Sequence, residues 1–332
     1  MSITGSAMAK QESEPVFVRS DFVSLPNIHR FSHSAMATTF EVIVQHDDAI
    51  YARQAADAAF NELDRLEGEL SRFIENSDIS RLNNLPAGQL LRIGLDTYEC
   101  LDLSKRMYTD TNGAFDITIG SLFACWLNED KTTRVPSKAE LNMARRHTGA
   151  GLLKLDQTQY TVELSLSPLK VDLGGIGKGY AVDRMADLLR QWSVDKALIH
   201  GGFSSLLALD APLGAAGWTV TLSEPTGRGR VISQLLLNGK ALSASGLHKG
   251  QHIIDPRTAK PVKRIIAAWS CTADAATADA LSTAFMVMSP AEIELYCRGH
   301  PDVLAMVILA KALPPKGKIL QFGRWDVMEP AS

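Results

Sequence analysis

Residues 171–183 read Val-Asp-Leu-Gly-Gly-Ile-Gly-Lys-Gly-Tyr-Ala-Val-Asp, with four glycines inside positions 174–179. Residues 160–171 before the block alternate as a strand does, and residues 181–192 after it carry an amphipathic helical pattern. The block therefore predicts a strand, a glycine-rich turn and a helix. Glycines at such a turn admit positive φ and let the backbone approach a ligand without a Cβ in the way. A helix that begins there offers unpaired N–H groups to an anion, most naturally a phosphate. Asp172 and Lys178 add a carboxylate and an ammonium at the same corner. Two familiar phosphate loops are excluded. A Walker loop needs glycine at 172 and Ser or Thr at 179, where Asp172 and Gly179 stand. A dinucleotide fingerprint starting at Gly175 needs glycine where Tyr180 is. A purely structural glycine turn stays open beside a phosphate site.

Working outward, residues 39–45 alternate as a strand, and Asp47 or Asp48 caps a helix reaching Leu70. Its stripe of Ala52, Ala55, Ala56, Ala59, Leu63, Leu66 and Leu70 has helical spacing and reads as core. Further helices are predicted over 96–109, from Ser137 onward, over 276–288, and from Ser289, where Pro290 and Glu292 complete a capping box. Strands are predicted at 196–199, 204–209, 218–223, 231–237, 265–271, 303–309 and 318–322, and residues 152–171 read as two more. Residues 241–262 are dense in polar and turn residues and read as loop. Strand follows strand too often for βαβ alternation. An α+β architecture is expected, not a doubly wound sheet.

A chain of 332 residues with 45% hydrophobic and 21% charged residues can bury a large core. Its net charge of −3 provides no basic footprint for nucleic acid or an anionic membrane. The cysteines, Cys100, Cys125, Cys271 and Cys297, lie far apart, which fits free thiols and neither a disulfide framework nor a zinc site. No run is long and apolar enough for a membrane helix, and the first 34 residues lack a secretory h-region and a lipid-attachment cysteine. The chain as given is expected to be cytoplasmic, or periplasmic had a leader been removed. Residues 1–33 are expected to form a flexible arm, and residues 34–325 one domain.

Three further constellations carry chemistry. Asp279 and Thr283 stand four residues apart on one helical face, with Ser282 beside them. Magnesium favours hard oxygens and often takes one or two carboxylates completed by water and phosphates; a solvated face of small polar residues is the other reading. His252 precedes Asp255-Pro-Arg-Thr258, which offers a proton carrier and a phosphate donor, or only a turn with a surface arginine. Asp116, in Ala114-Phe-Asp, could accept from a heterocycle's N–H or simply cap a turn.

These blocks occur in one order: Met36-Ala-Thr-Thr-Phe40, Leu70-Ser-Arg-Phe73, Gly113-Ala-Phe-Asp116, the block at 172–183, His252-Ile-Ile-Asp-Pro-Arg-Thr258 and Thr277-Ala-Asp-Ala-Leu-Ser-Thr283. That order resembles the ApbE family of FAD:protein FMN transferases, over about residues 34–309. The resemblance implies a single α+β unit of mainly antiparallel sheet with packed helices and a FAD cleft between two lobes. It implies a magnesium-dependent enzyme that cleaves FAD, releases AMP and passes FMN to a Thr or Ser hydroxyl of an acceptor protein. Carried over, Met36, Phe73, Ala114, Phe115, Asp116, Asp172, Lys178 and Thr258 would line the FAD. Asp279 and Thr283 would hold the metal, with Gly175 and Ser282 as further ligands. His252, with Lys178, would act at the reacting phosphate. Phe203 stands where the family usually has an acid or amide, Ala259 where it has glycine, and Phe73 where tyrosine is frequent. A magnesium-dependent FAD pyrophosphatase and a non-catalytic FAD-binding or delivery protein are the competing functions.

Overall fold

Eight strands cross one sheet in the order in which the chain makes them. They are Ile28–Ala35, Thr38–Gln45, Ala197–Gly201, Ser205–Ala208, Lys240–Gly246, Ile265–Thr272, Leu304–Leu309 and Lys318–Phe322, and every neighbouring pair is antiparallel. The computed structural model describes residues 18–20, 25–128, 132–223, 231–247, 253–310 and 318–325.

Both faces of the sheet are covered, and strands such as Leu304–Leu309 read as apolar runs. Phe40, Val42 and Val44 join the core under the helices, while Ile43 belongs to the opposite core with Leu198, Leu206, Trp218 and Trp269. The second face is closed by Trp218–Ser223 and Val231–Leu237, which pair with each other, and by Val18–Ser20 on the outer side of the first. The helix Ala49–Leu70 carries the expected alanine and leucine stripe, all of it buried, and Asp48 caps it by accepting from the N–H groups of Ile50 and Tyr51. Ser137 and Ser289 each close a capping box, with Glu140 and Glu292. Cys100, Cys271 and Cys297 are buried free thiols whose pKa burial pushes up to about 12; Cys125 is likewise buried and raised.

Four expectations are revised. Residues 240–246 form a central strand where a loop was expected, because Ala-Leu-Ser-Ala-Ser-Gly pairs on both edges and its small side chains admit a helix onto the sheet. Residues 28–33, assigned to the arm, are paired as an edge strand whose mixed, half-buried side chains mask the alternation, and 18–20 also pair. Residues 25–27 form the turn that leads into the edge strand, and 1–17 and 21–24 lie outside the described residues. The strand before the glycine block ends at Leu164, so the block is entered from a loop. Finally, none of the block's glycines has positive φ, and Gly177 and Gly179 lie inside the helix Gly177–Gln191. They are needed for approach: a Cβ on Gly179 would stand 2.1 Å from the Ala275 carbonyl oxygen of the helix Ala275–Val287.

Candidate functional site

The glycine block brings two helix N-termini together. Asp183, its last residue, accepts from the N–H groups of Ala275 (2.7 Å) and Ala276 (2.8 Å). Burial pushes this carboxyl up to about 7 against those two bonds. The Gly179 N–H in turn donates to Asp279 Oδ2 at 3.1 Å. The close crossing thus fixes Lys178 and Asp279 side by side, with Lys178 Nζ 3.5 Å from Asp279 Oδ2. Asp279 is 2% exposed, so the solvated-face reading of its helix does not hold.

Lys178 and Asp279 form part of the floor of a cavity of about 810 Å³. One wall comes from the long excursion between the second and third strands: Leu70–Ile74, Ala114–Asp116 and Asp172–Gly175. The other comes from Phe203, Ser204, Ala244–Gly246, Ile253 and Thr283, and the hairpin turn Met36-Ala37 lies on the rim. Both turn residues have positive φ, and the Met36 N–H is held by Glu67 Oε1 at 2.8 Å. Two non-glycine residues in that conformation are the kind of local strain that gathers at binding sites. Asp172 accepts from the Gly174 N–H at 2.8 Å and lies 3.4 Å from the Arg72 guanidinium. Arg72 also stands 4.5 Å over the Phe73 ring, which is 82% exposed at the mouth.

Asp116 answers to its turn-capping reading, with the Thr118 N–H and hydroxyl donating to Oδ1 at 2.8 and 2.7 Å, and also faces the cavity. Burial raises its pKa to about 6, which the Thr118 bonds oppose.

The Asp279 end of the cavity is built of hard oxygens. Thr283 Oγ1 lies 3.2 Å from Ser245 Oγ, and Gly175 approaches it so closely that a Cβ there would be 3.0 Å away. One carboxylate, two hydroxyls and a glycine cradle suit magnesium, which prefers oxygen ligands. Ser282 is fully buried, bonded to the Asp279 carbonyl (2.9 Å) and to Ser245 (2.8 Å), and does not line the cavity. Among the described residues no group of three His, Cys, Asp or Glu could hold a metal, so a cation site here has the sparse style.

Thr258 is not brought to the cavity. It is exposed in the turn of the small hairpin Ile254–Asp255 and Lys260–Pro261, its carbonyl accepting from Arg145 at 2.6 Å. Arg257 is tied to Asp255 (3.2 Å) and Glu292 (2.7 Å), the surface-turn reading. Ala259 sits in that turn at φ +57°, a conformation that glycine adopts more readily. His252 lies outside the described residues. Ser205, Ser243 and Ser245 were missed; the signal was the alternate placing of two serines, at 243 and 245, among small residues.

The model of the ApbE family matches residues 36–308. The chain belongs to the ApbE family. Among similar ApbE relatives, the FAD:protein FMN transferase of Escherichia coli K12 is 26% identical over 271 residues, 77% of each chain. That of Salmonella typhimurium is 27% identical over 289 residues, 82% of each. The ApbE protein of Thermotoga maritima superposes with a TM-score of 0.81 at 26% identity, covering 92% of this chain and all of its own. The apo flavinyl transferase ApbE of Pseudomonas stutzeri gives 0.81 at 25%, covering 92% and 97%. The ApbE fold is thus a mainly antiparallel sheet with packed helices, as expected.

Proposed function

We propose that this protein is a magnesium-dependent FAD:protein FMN transferase that joins FMN to a Thr or Ser hydroxyl of an acceptor protein and releases AMP. The observation that carries this is the meeting of Lys178, Asp279 and Thr283 at the floor of a cavity whose walls hold Phe115, Asp116 and Asp172. Family membership and the names of the relatives support the flavin-transfer class.

In this reading Asp116 accepts an N–H of the flavin ring, while Phe115 and Phe73 provide apolar surface for it. Met36, Ala114 and Asp172 border the bound FAD, and Lys178 sets a fixed positive charge against its pyrophosphate. Asp279 and Thr283, helped by Gly175 and Ser245, would hold magnesium, which when bound would supply charge neutralisation at the phosphates. Because Ser282 stands behind Ser245, its contribution to the cation goes through that contact. The acceptor oxygen bonds to the FMN phosphorus, the bond to the bridging oxygen breaks, and AMP departs with the electron pair. His252 takes the hydroxyl proton. The chemistry demands positioning and charge compensation more than covalent help.

The test is incubation with FAD, magnesium and peptides carrying one Thr or Ser, read by mass spectrometry. An FMN adduct on the peptide with free AMP is the expected result. FMN and AMP without an adduct would make it a pyrophosphatase, and intact bound FAD a delivery protein.

A further inference from the structure

Three serines form a row across neighbouring strands. Ser243 pairs with Ser205 on one side and with Ser270 on the other. All are buried, at 0–1% exposure. All three hydroxyls turn to the helix Ala275–Val287, but they meet it differently. Ser270 Oγ donates to the backbone carbonyl of Ala278. Ser205 Oγ donates to the Asp279 carboxylate at 3.0 Å, and Ser243 Oγ lies 3.3 Å from the same Oδ1 and 2.9 Å from Ser205 Oγ.

The division of labour on Asp279 is complete. The sheet holds Oδ1 through two hydroxyls, whereas Oδ2 meets the Gly179 N–H and Lys178. A carboxylate turns freely about its last bond unless its oxygens are held differently. A buried carboxylate whose donors are removed also loses the bonds that offset its desolvation. We propose that Ser205 and Ser243 are positioning residues that hold the Asp279 carboxylate in one rotation, with Oδ2 presented to the cavity for a divalent cation. The inference rests on Asp279 being the metal-bearing carboxylate of the proposed function. Alanine in place of either serine would pack as well on a strand this close to a helix; the hydroxyls are therefore there for what they donate to.

Ser270 provides the internal control, since it has the same burial, chemistry and layer but touches only backbone. The experiment titrates Mn²⁺ into the protein, with and without FAD, and follows bound Mn²⁺ by electron paramagnetic resonance. Thermal unfolding is recorded on each variant. Ser205→Ala and Ser243→Ala should each weaken Mn²⁺ binding by about ten- to a hundredfold, the usual cost of losing an outer partner of a metal ligand. Ser270→Ala should lower the melting temperature and leave Mn²⁺ affinity unchanged. Asp279→Asn should abolish Mn²⁺ binding. If it does so while Ser205→Ala and Ser243→Ala behave like Ser270→Ala, the serine pair has no positioning role and the metal reading stands. If Asp279→Asn binds Mn²⁺ like wild type, or wild type binds none, the metal reading falls and this inference with it. Should an alanine variant not fold, Ser205→Cys keeps a similar volume with a weaker donor; wild-type Mn²⁺ affinity in it would overturn the proposal.

Discussion

Two blocks of this sequence look alike as signatures, yet their charged residues fold to different surroundings, Lys178 against a buried carboxylate and Arg257 on the surface. The block at 172–183 is pressed against a second helix and forms the cavity floor. Of the block at 252–258, residues 254–258 belong to a small hairpin, and among its described residues only Ile253, Ile254 and Pro256 reach the cavity wall. The difference lies in what each polar group finds nearby. Lys178 is held beside Asp279 by a helix crossing that tolerates no Cβ, whereas Arg257 finds Asp255 and Glu292 on the outside. The spacing of residues in a motif shows that they act on something. Packing decides whether that something is a ligand or a turn.

Substitutions can break this contrast. The largest effect is expected for Gly179→Ala, whose Cβ would lie 2.1 Å from the Ala275 oxygen, a backbone atom. The two helices must separate, which disrupts the Asp183 clamp and the Gly179–Asp279 bond together. A loss on the order of 4 kcal/mol or more is expected, read by urea unfolding; wild-type stability would mean the crossing is looser than described.

Next comes Asp279→Asn, which keeps the shape and removes the charge. Magnesium-supported FAD cleavage should fall to background with the far-ultraviolet dichroism unchanged. Normal turnover at low magnesium would count against the cation assignment. His252→Ala probes the other block. A single acid–base group contributes about a hundred- to ten-thousandfold, so single-turnover cleavage should slow by that much while FAD affinity changes little. A joint loss of affinity and stability with an unchanged rate would make His252 part of the turn instead. The smallest effect is expected for Arg257→Ala, because an exposed pair such as Arg257–Glu292 contributes at most about 1 kcal/mol. FAD affinity should be unaltered, and a large drop would bring the second block into the site.

Local signals were the legible ones. The caps at Asp48, Ser137 and Ser289 are hydrogen bonds between residues two or three apart, so a sequence window contains the whole interaction. Trp218–Ser223, Val231–Leu237 and Lys318–Phe322 were read to the residue because alternation and turn residues bound them. Lys240–Gly246 was lost because its residues are chosen for the helix lying on it, a partner more than 30 positions away. The glycine block was found, but positive φ is not what it uses: Gly179 makes room for the Ala275–Val287 helix and Gly175 for Thr283 and Phe115. The Asp279 end of the cavity was half legible. The pairing of Asp279 with Thr283 is a helical spacing, but the serines behind Asp279 are brought there only by strand register.

The four buried thiols have a practical consequence. All four are buried, and burial raises the pKa of each, so they are poor targets for an alkylating reagent at neutral pH. A cysteine introduced at position 203, where Phe203 is 40% exposed on the cavity wall, would accept a maleimide dye without removal of the native ones. A fluorophore at that position would report occupancy of the cavity directly, in real time and independently of turnover.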